Sequence, residues 1–183
     1  MSEHYEMLED CERIILTRSQ IEEKLEETAK RMAKDYEGKN PLMVCILRGA
    51  VFVYAELLSR MNIPVAMDFM RVSSYGNSTT SAQVCIVSDL SVECTDRDIV
   101  IVEDIIDSGR TIYALKELFY KRGAKSVRAF TLLDKPSRRA FPLEPDYVCF
   151  EVEDEFVVGW GMDYAEHYRN LPYVAVLKRS VYE

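Results

Sequence analysis

Apolar and polar positions along this chain follow two periods, one helical and one extended. From Gln20 to Tyr36, Ile21, Leu25, Thr28, Ala29, Met32 and Ala33 share one stripe among Glu, Lys and Arg. That spacing predicts an amphipathic helix with a cap at Ser19. Pro41 to Leu47 and Val65 to Val72 read as buried strands, with an apolar helix from about Ala50 to Met61 between them. Val84 to Val87, Ile99 to Ile106, Ser126 to Leu133, Tyr147 to Glu151 and Phe156 to Val158 read as further strands. Tyr173 to Leu177 is expected to add a last strand to the same sheet. Leu115, Leu118 and Phe119 place a helix over Ile112 to Arg122, and Pro136, Pro142 and Pro145 confine Lys135 to Asp146 to turns. Strands alternating with helices predict an α/β fold with a doubly wound, mostly parallel sheet.

One strand ends unlike the others. Glu103 and Asp104 stand near the carboxyl end of the 99–106 run, where open α/β sheets place their ligands. Asp107-Ser108-Gly109-Arg110-Thr111 then turns into the next helix. Two hydroxyls, a glycine that admits close backbone approach and the free amides of a helix N-terminus suit a phosphate monoester. Acids beside an anion site repel it, so Glu103 and Asp104 fit a sugar diol or a divalent cation, and one acid fits a general base. A plain Asp N-cap after a core strand is the alternative. The further acids, with Gly109 and Thr111 at fixed offsets, argue against it. Residues 73–82, dominated by Ser, Thr, Gly, Asn and Tyr between two strands, predict a mobile loop.

The segment Val102 to Thr111 resembles the 5-phosphoribosyl 1-pyrophosphate (PRPP) motif of the type I phosphoribosyltransferases. The resemblance runs from about Asn40 to the C-terminus, through Leu47-Arg48-Gly49-Ala50, Ser73-Ser74-Tyr75-Gly76, Leu133-Asp134-Lys135, Phe156-Val157-Val158-Gly159, Met162-Asp163-Tyr164 and Arg169. Lys135 and the 156–169 block point to the hypoxanthine-guanine(-xanthine) branch of purine salvage. The resemblance implies one domain over residues 1–183 with the type I phosphoribosyltransferase fold. A small hood from the N-terminal helix and about 150–183 would cover the sheet's carboxyl edge, and a loop at about 73–83 would close over PRPP. The implied reaction transfers 5-phosphoribosyl from PRPP to N9 of hypoxanthine or guanine, with xanthine an open question.

Under that resemblance Asp107 is the general base, taking a proton from N7. Glu103, Asp104, Asp107, Ser108, Gly109, Arg110 and Thr111 bind the ribose phosphate, and Arg48, Gly49, Ser74, Tyr75 and Arg169 bind pyrophosphate. Ile105, Lys135, Phe156, Val157, Met162 and Asp163 hold the purine. Lys135 donates to O6, Phe156 stacks on the ring, and backbone groups of Val157 and Met162 serve the 2-position. Mg2+ is the implied cofactor, attended by Glu103, Asp104 and Asp163. By type alone Lys135 would be a solvated charge and Phe156 a core residue. Arg48-Gly49 departs from the family's commoner Lys-Gly, and Ser81-Ala82-Gln83 from its commoner Gly.

At 183 residues and 48% hydrophobic, the chain suits one domain with a real core. No run approaches the ~18 apolar residues of a membrane span, and Met1 to Arg13 lacks a signal-peptide core. A cytoplasmic protein with reduced thiols at Cys11, Cys45, Cys85, Cys94 and Cys149 is expected. A net charge of −8 argues against nucleic-acid or membrane partners. The two histidines, His4 and His167, are too few for a His-based zinc site, and a Ser-His-Asp triad is not expected. Small-molecule partners, PRPP and 6-oxopurines, and a homodimer or homotetramer are expected. The alternative is a PRPP-sensing regulatory protein of this fold that binds nucleic acid; the acidic chain and the presence of Asp107 speak against it.

Overall fold

The computed structural model describes residues 7–74 and 84–183. Tyr75 to Gln83, most of the predicted mobile loop, lies outside the described residues. In chain order the elements are β1 (Cys11–Leu16), α1 (Arg18–Asp35), β2 (Leu42–Leu47), α2 (Val51–Arg60), β3 (Ala66–Ser74), β4 (Val84–Ser88), β5 (Asp98–Ile106) and α3 (Arg110–Lys121). There follow β6 (Ser126–Asp134), a 3-10 turn (Pro136–Arg138), β7 (Tyr147–Glu151), β8 (Val157–Val158), β9 (Val174–Leu177) and the short α4 (Arg179–Tyr182). The main sheet has the order β4-β3-β2-β5-β6-β7. Its neighbours run parallel except β4, which returns antiparallel along the edge of β3 with Ser74 opposite Val84.

Helices cover both faces of the sheet, which is why its strands read as unbroken apolar runs. In β5 the side chains alternate: Val100 and Val102 join the core under α1 and α2, while Ile99 and Ile101 join the core under α3 with Ile112, Leu115 and Phe119. The cap of α1 is Thr17, not Ser19. Thr17 and Gln20 form a reciprocal capping box, with Thr17 N donating to Gln20 Oε1 at 2.9 Å. Ser19 is already inside the first turn.

A second sheet, in the order β1-β9-β8 and wholly antiparallel, sits beside the first. This corrects two expectations. β9 does not extend the main sheet, because both its edges are paired elsewhere, with β1 and β8, while Val174 and Val176 pack toward the main core and Ala175 and Leu177 toward Cys11, Val158 and Leu171. The N-terminal part of this sheet is β1, which the sequence did not announce, whereas α1 packs on α2 and β7 of the main sheet. All five cysteines are unpaired. Among the described residues no helix is long and apolar enough to cross a membrane.

Candidate active site

β5 stops at Ile106 and α3 starts at Arg110, leaving a three-residue turn at the carboxyl edge of the main sheet. Gly109 is the helix cap at φ 79°, in the left-handed region, and a Cβ there would lie 3.0 Å from Arg139 Cδ. Asp107 therefore does not cap the helix, and its carboxylate remains available. The turn is tied from behind. Arg139 Nη1 donates to Asp107 O at 2.7 Å while its other arm pairs with the buried Asp134 carboxylate. Ala140 N and Phe141 N donate to Ser108 O at 3.0 and 3.2 Å. In front, residues 107–112 open into a recess shared with Glu103, Ile105 and Ile106. The Arg110 guanidinium lies 5.7 Å above the Phe141 ring centre.

A second pocket of about 230 Å³ adjoins the first and shares Ile105 and Asp107 with it. All six residues assigned to the purine, Ile105, Lys135, Phe156, Val157, Met162 and Asp163, line it together with Asp104 and Arg138. Lys135 is only 5% exposed and donates from Nζ to Glu155 O at 2.7 Å, so it is no solvated surface charge. Burial lowers its pKa, opposed by the nearby Asp107 and Asp154 carboxylates. Phe156 is 38% exposed and belongs to no core cluster. Leu177 N donates to Phe156 O, which makes Val157 and Val176 a non-hydrogen-bonded pair and turns the Val157 amide and carbonyl away from β9. Met162 corrects the expectation: its amide donates to Gly159 O at 3.0 Å, so that N–H is spent.

At the junction of the two pockets, Asp107 Oδ1 is buried without a hydrogen-bond partner, and Arg138 Nε stands 3.4 Å from it. On the far side, Arg48 and Gly49 follow a cis peptide bond between Leu47 and Arg48. Gly49 is pressed against Asp104, and only a residue without Cβ fits there. Arg169 donates to Gly161 O and pairs with Asp163, both at 2.8 Å, and its Nε is buried and unpartnered. Arg48 pairs with Glu166 at 2.5 Å. Burial pushes the Asp104 carboxyl up to about 6, against the Ile105 amide and Arg169, which favour its charge. Glu103 is pushed well above the ordinary carboxyl range by burial and by the adjacent Asp104.

Neighbouring positions of a strand point to opposite faces, and Glu103 and Asp104 accordingly line different recesses. Among the described residues no three metal-ligating side chains converge. Ser74 ends β3, and Tyr75 lies outside the described residues. Sequence reasoning missed Arg138, Arg139 and Glu166. The paired arginines after Lys135-Pro136 were a usable signal, since they face Asp107 and Asp134. Glu166 had none: it sits at φ 69° between Ala165 and Tyr168, also at positive φ, in a turn without glycine.

A phosphate-sized turn at a strand end, joined to a pocket where Lys135 and Arg138 face Asp104, Asp107 and Asp163 beside an exposed aromatic ring, defines the site of a phosphoribosyl transferase. The chain belongs to that family, whose phosphoribosyl transferase domain matches residues 14–166. Hypoxanthine-guanine phosphoribosyltransferases of Streptococcus thermophilus and Bacillus subtilis are each 48% identical to it, over 96% and 97% of this chain and 99% of theirs. The crystal structure of a hypoxanthine phosphoribosyltransferase from Staphylococcus aureus is similar at a TM-score of 0.94 and 40% identity, covering 97% of both chains.

Proposed function

We propose that this enzyme transfers 5-phosphoribosyl from PRPP to N9 of hypoxanthine or guanine, giving IMP or GMP and pyrophosphate. The observation that carries the reading is Asp107 Oδ1, buried, without a hydrogen bond and 3.4 Å from Arg138 Nε, where the phosphate recess meets the base pocket. Amides and hydroxyls of Ser108 to Thr111, with Arg110, receive the 5-phosphate at the start of α3. Glu103 and Asp104 meet the ribose from two sides. C1 becomes oxocarbenium-like as pyrophosphate leaves, so the gain lies in stabilising the leaving group and excluding water. Arg169, through its free Nε, Arg48 and the Gly49 backbone supply donors there; Ser74 and Tyr75 belong to the same assignment.

Lys135 supports O6 of the base. It has donors and no acceptor, so it opposes the 6-amino group of adenine. Phe156 and Ile105 hold the ring between them, and Asp107 takes the N7 proton as N9 attacks. Guanine's 2-amine meets the Val157 carbonyl, and the Val157 amide is the candidate donor for the 2-oxygen of xanthine. Hard carboxylate oxygens, with Glu103 Oε2 buried and unpartnered, fit Mg2+, which keeps waters and substrate phosphates as ligands rather than a protein cage. Asp104 and Asp163, which line the base pocket, would hold one ion and Glu103, in the phosphate recess, another, and bound there the metal would neutralise charge on pyrophosphate.

In this reading residues 1–183 act as one domain, the β1-β9-β8 sheet serves as the hood, and the 73–83 loop closes over PRPP. The enzyme works in the cytoplasm as a homodimer or homotetramer. The regulatory alternative finds no support, since the relatives named above are transferases. A spectrophotometric assay with PRPP and Mg2+ against hypoxanthine, guanine, xanthine and adenine tests the proposal. Turnover of 6-oxopurines without adenine is expected; turnover of adenine at a comparable rate would overturn the Lys135 assignment, and no turnover of any base the whole reading.

A further inference from the structure

Phe156 does not stand alone at the rim of the base pocket. Tyr182, the last residue of α4, stacks on it with ring centres 4.9 Å apart and planes inclined by 26°. Tyr164 meets the same ring edge-on at 5.6 Å and 88°, and the two tyrosines face each other at 6.3 Å. Backbone bonds hold this cluster together. Leu177 N donates to Phe156 O at 2.8 Å just before α4, and Lys178 N donates to Asp10 O at 2.9 Å.

The base pocket is lined by Phe156 and by neither tyrosine. A phenyl ring has two faces, and Tyr182 covers one of them. The other is the face left for the pocket that Phe156 lines. From this geometry we propose that Tyr182 is a positioning residue for base recognition, backing Phe156 so that a bound purine completes a stack of three rings. The inference rests on the reading of Phe156 as the base-stacking residue.

An aromatic side chain with both faces free must be ordered when a ligand stacks on it, and that ordering weakens binding. Packed against Tyr182 and Tyr164, Phe156 is ordered beforehand, in the tilted and offset arrangements that ring quadrupoles favour. The effect belongs to the base and not to PRPP, because the phosphate recess is lined by Glu103 and residues 105–112. A tyrosine that instead competed with the base for the inner face of Phe156 would act with the opposite sign.

The test compares wild type with Tyr182→Ala, Tyr182→Leu, Tyr182→Phe and Phe156→Ala. It measures KM for hypoxanthine and guanine at saturating PRPP and Mg2+, KM for PRPP, and Tm. Tyr182→Ala is expected to raise both base KM values roughly 2- to 10-fold, the range one aromatic contact supports, with KM for PRPP unchanged. Tyr182→Phe restores the native values, since the ring and not the hydroxyl makes the stack. Tyr182→Leu keeps apolar cover without a ring and carries the comparison if the Ala variant does not fold. An unchanged base KM in the Ala and Leu variants, alongside a raised one in Phe156→Ala, reduces Tyr182 to an end-cap and overturns the proposal. A lowered base KM does so as well, in favour of competition. Base KM values indifferent to Phe156→Ala would instead remove Phe156 from the base site, and the inference with it.

Discussion

Replacing Gly49 by Ala probes whether the pyrophosphate loop and Asp104 are packed as one unit. The added Cβ would lie 1.8 Å from Asp104 Oδ2, 2.6 Å from its Cγ and 3.2 Å from Oδ1. Ordinary carbon–oxygen approaches are ~3.3–3.6 Å, so the carboxylate would have to retreat by about 1.5 Å. It has little room to do so. Asp104 is 9% exposed, and its Oδ1 accepts from Ile105 N at 2.8 Å. Overpacking costs about 1–3 kcal/mol, and the strained or broken charge-assisted hydrogen bond adds about 1.5 kcal/mol or more. At about 2–4 °C per kcal/mol for a domain of this size, a fall in Tm of roughly 5–15 °C is expected. KM for PRPP should rise at least ~10-fold, because the displaced acid leaves the ribose. Thermal melts and PRPP kinetics on the single variant give both numbers. Asp104→Ala removes the obstructing carboxylate, so in that background Gly49→Ala should cost less than about 1 kcal/mol. A Gly49→Ala enzyme with wild-type Tm, or a double variant whose losses simply add, would refute the packing argument.

Asp104 also sets a pH dependence. Its pKa rises from 3.8 to about 6 on folding, so between those values the native state holds a proton that the unfolded chain has released. Its contribution therefore falls as pH rises from about 4 to 6, by about 3 kcal/mol, and Asp104→Asn should flatten a series of metal-free melts by that amount. An unchanged slope would assign it to other groups. Lys135→Met should lower kcat/KM for hypoxanthine about 10- to 100-fold while sparing KM for PRPP, as loss of a charge-assisted hydrogen bond requires; an unaltered value would detach Lys135 from the base. Arg139→Met leaves the buried Asp134 carboxylate unpaired and should destabilise the fold by about 3–5 kcal/mol, with partial recovery in Arg139→Lys. Equal melting temperatures for the three proteins would show that the tie is not structural.

The parallel sheet was legible because strands covered on both faces must be apolar throughout, as Ile99 to Val102 are. The phosphate turn was legible because Gly109 has to reach positive φ. The base pocket was legible by resemblance alone: no periodicity distinguishes Lys135 from a surface charge, and its burial depends on β5, β6 and the 156–163 segment meeting in space. β1 stayed hidden because Glu12 and Arg13 interrupt a short apolar run whose pairing partner lies about 160 residues away. The Ser19 cap failed although Glu22 lies three residues on, because Glu22 pairs with Arg18 and the box closes two residues earlier, between Thr17 and Gln20. Glu166 acts on Arg48 across 118 residues, a contact to which local pattern is blind.

The central claim is that Asp107 moves the proton of the base during transfer. Asp107→Asn keeps the side chain's size and removes its basicity, so kcat for hypoxanthine should fall about 10²- to 10⁴-fold while KM for PRPP and Tm stay near wild type. A variant that turns over at the wild-type rate would contradict the account.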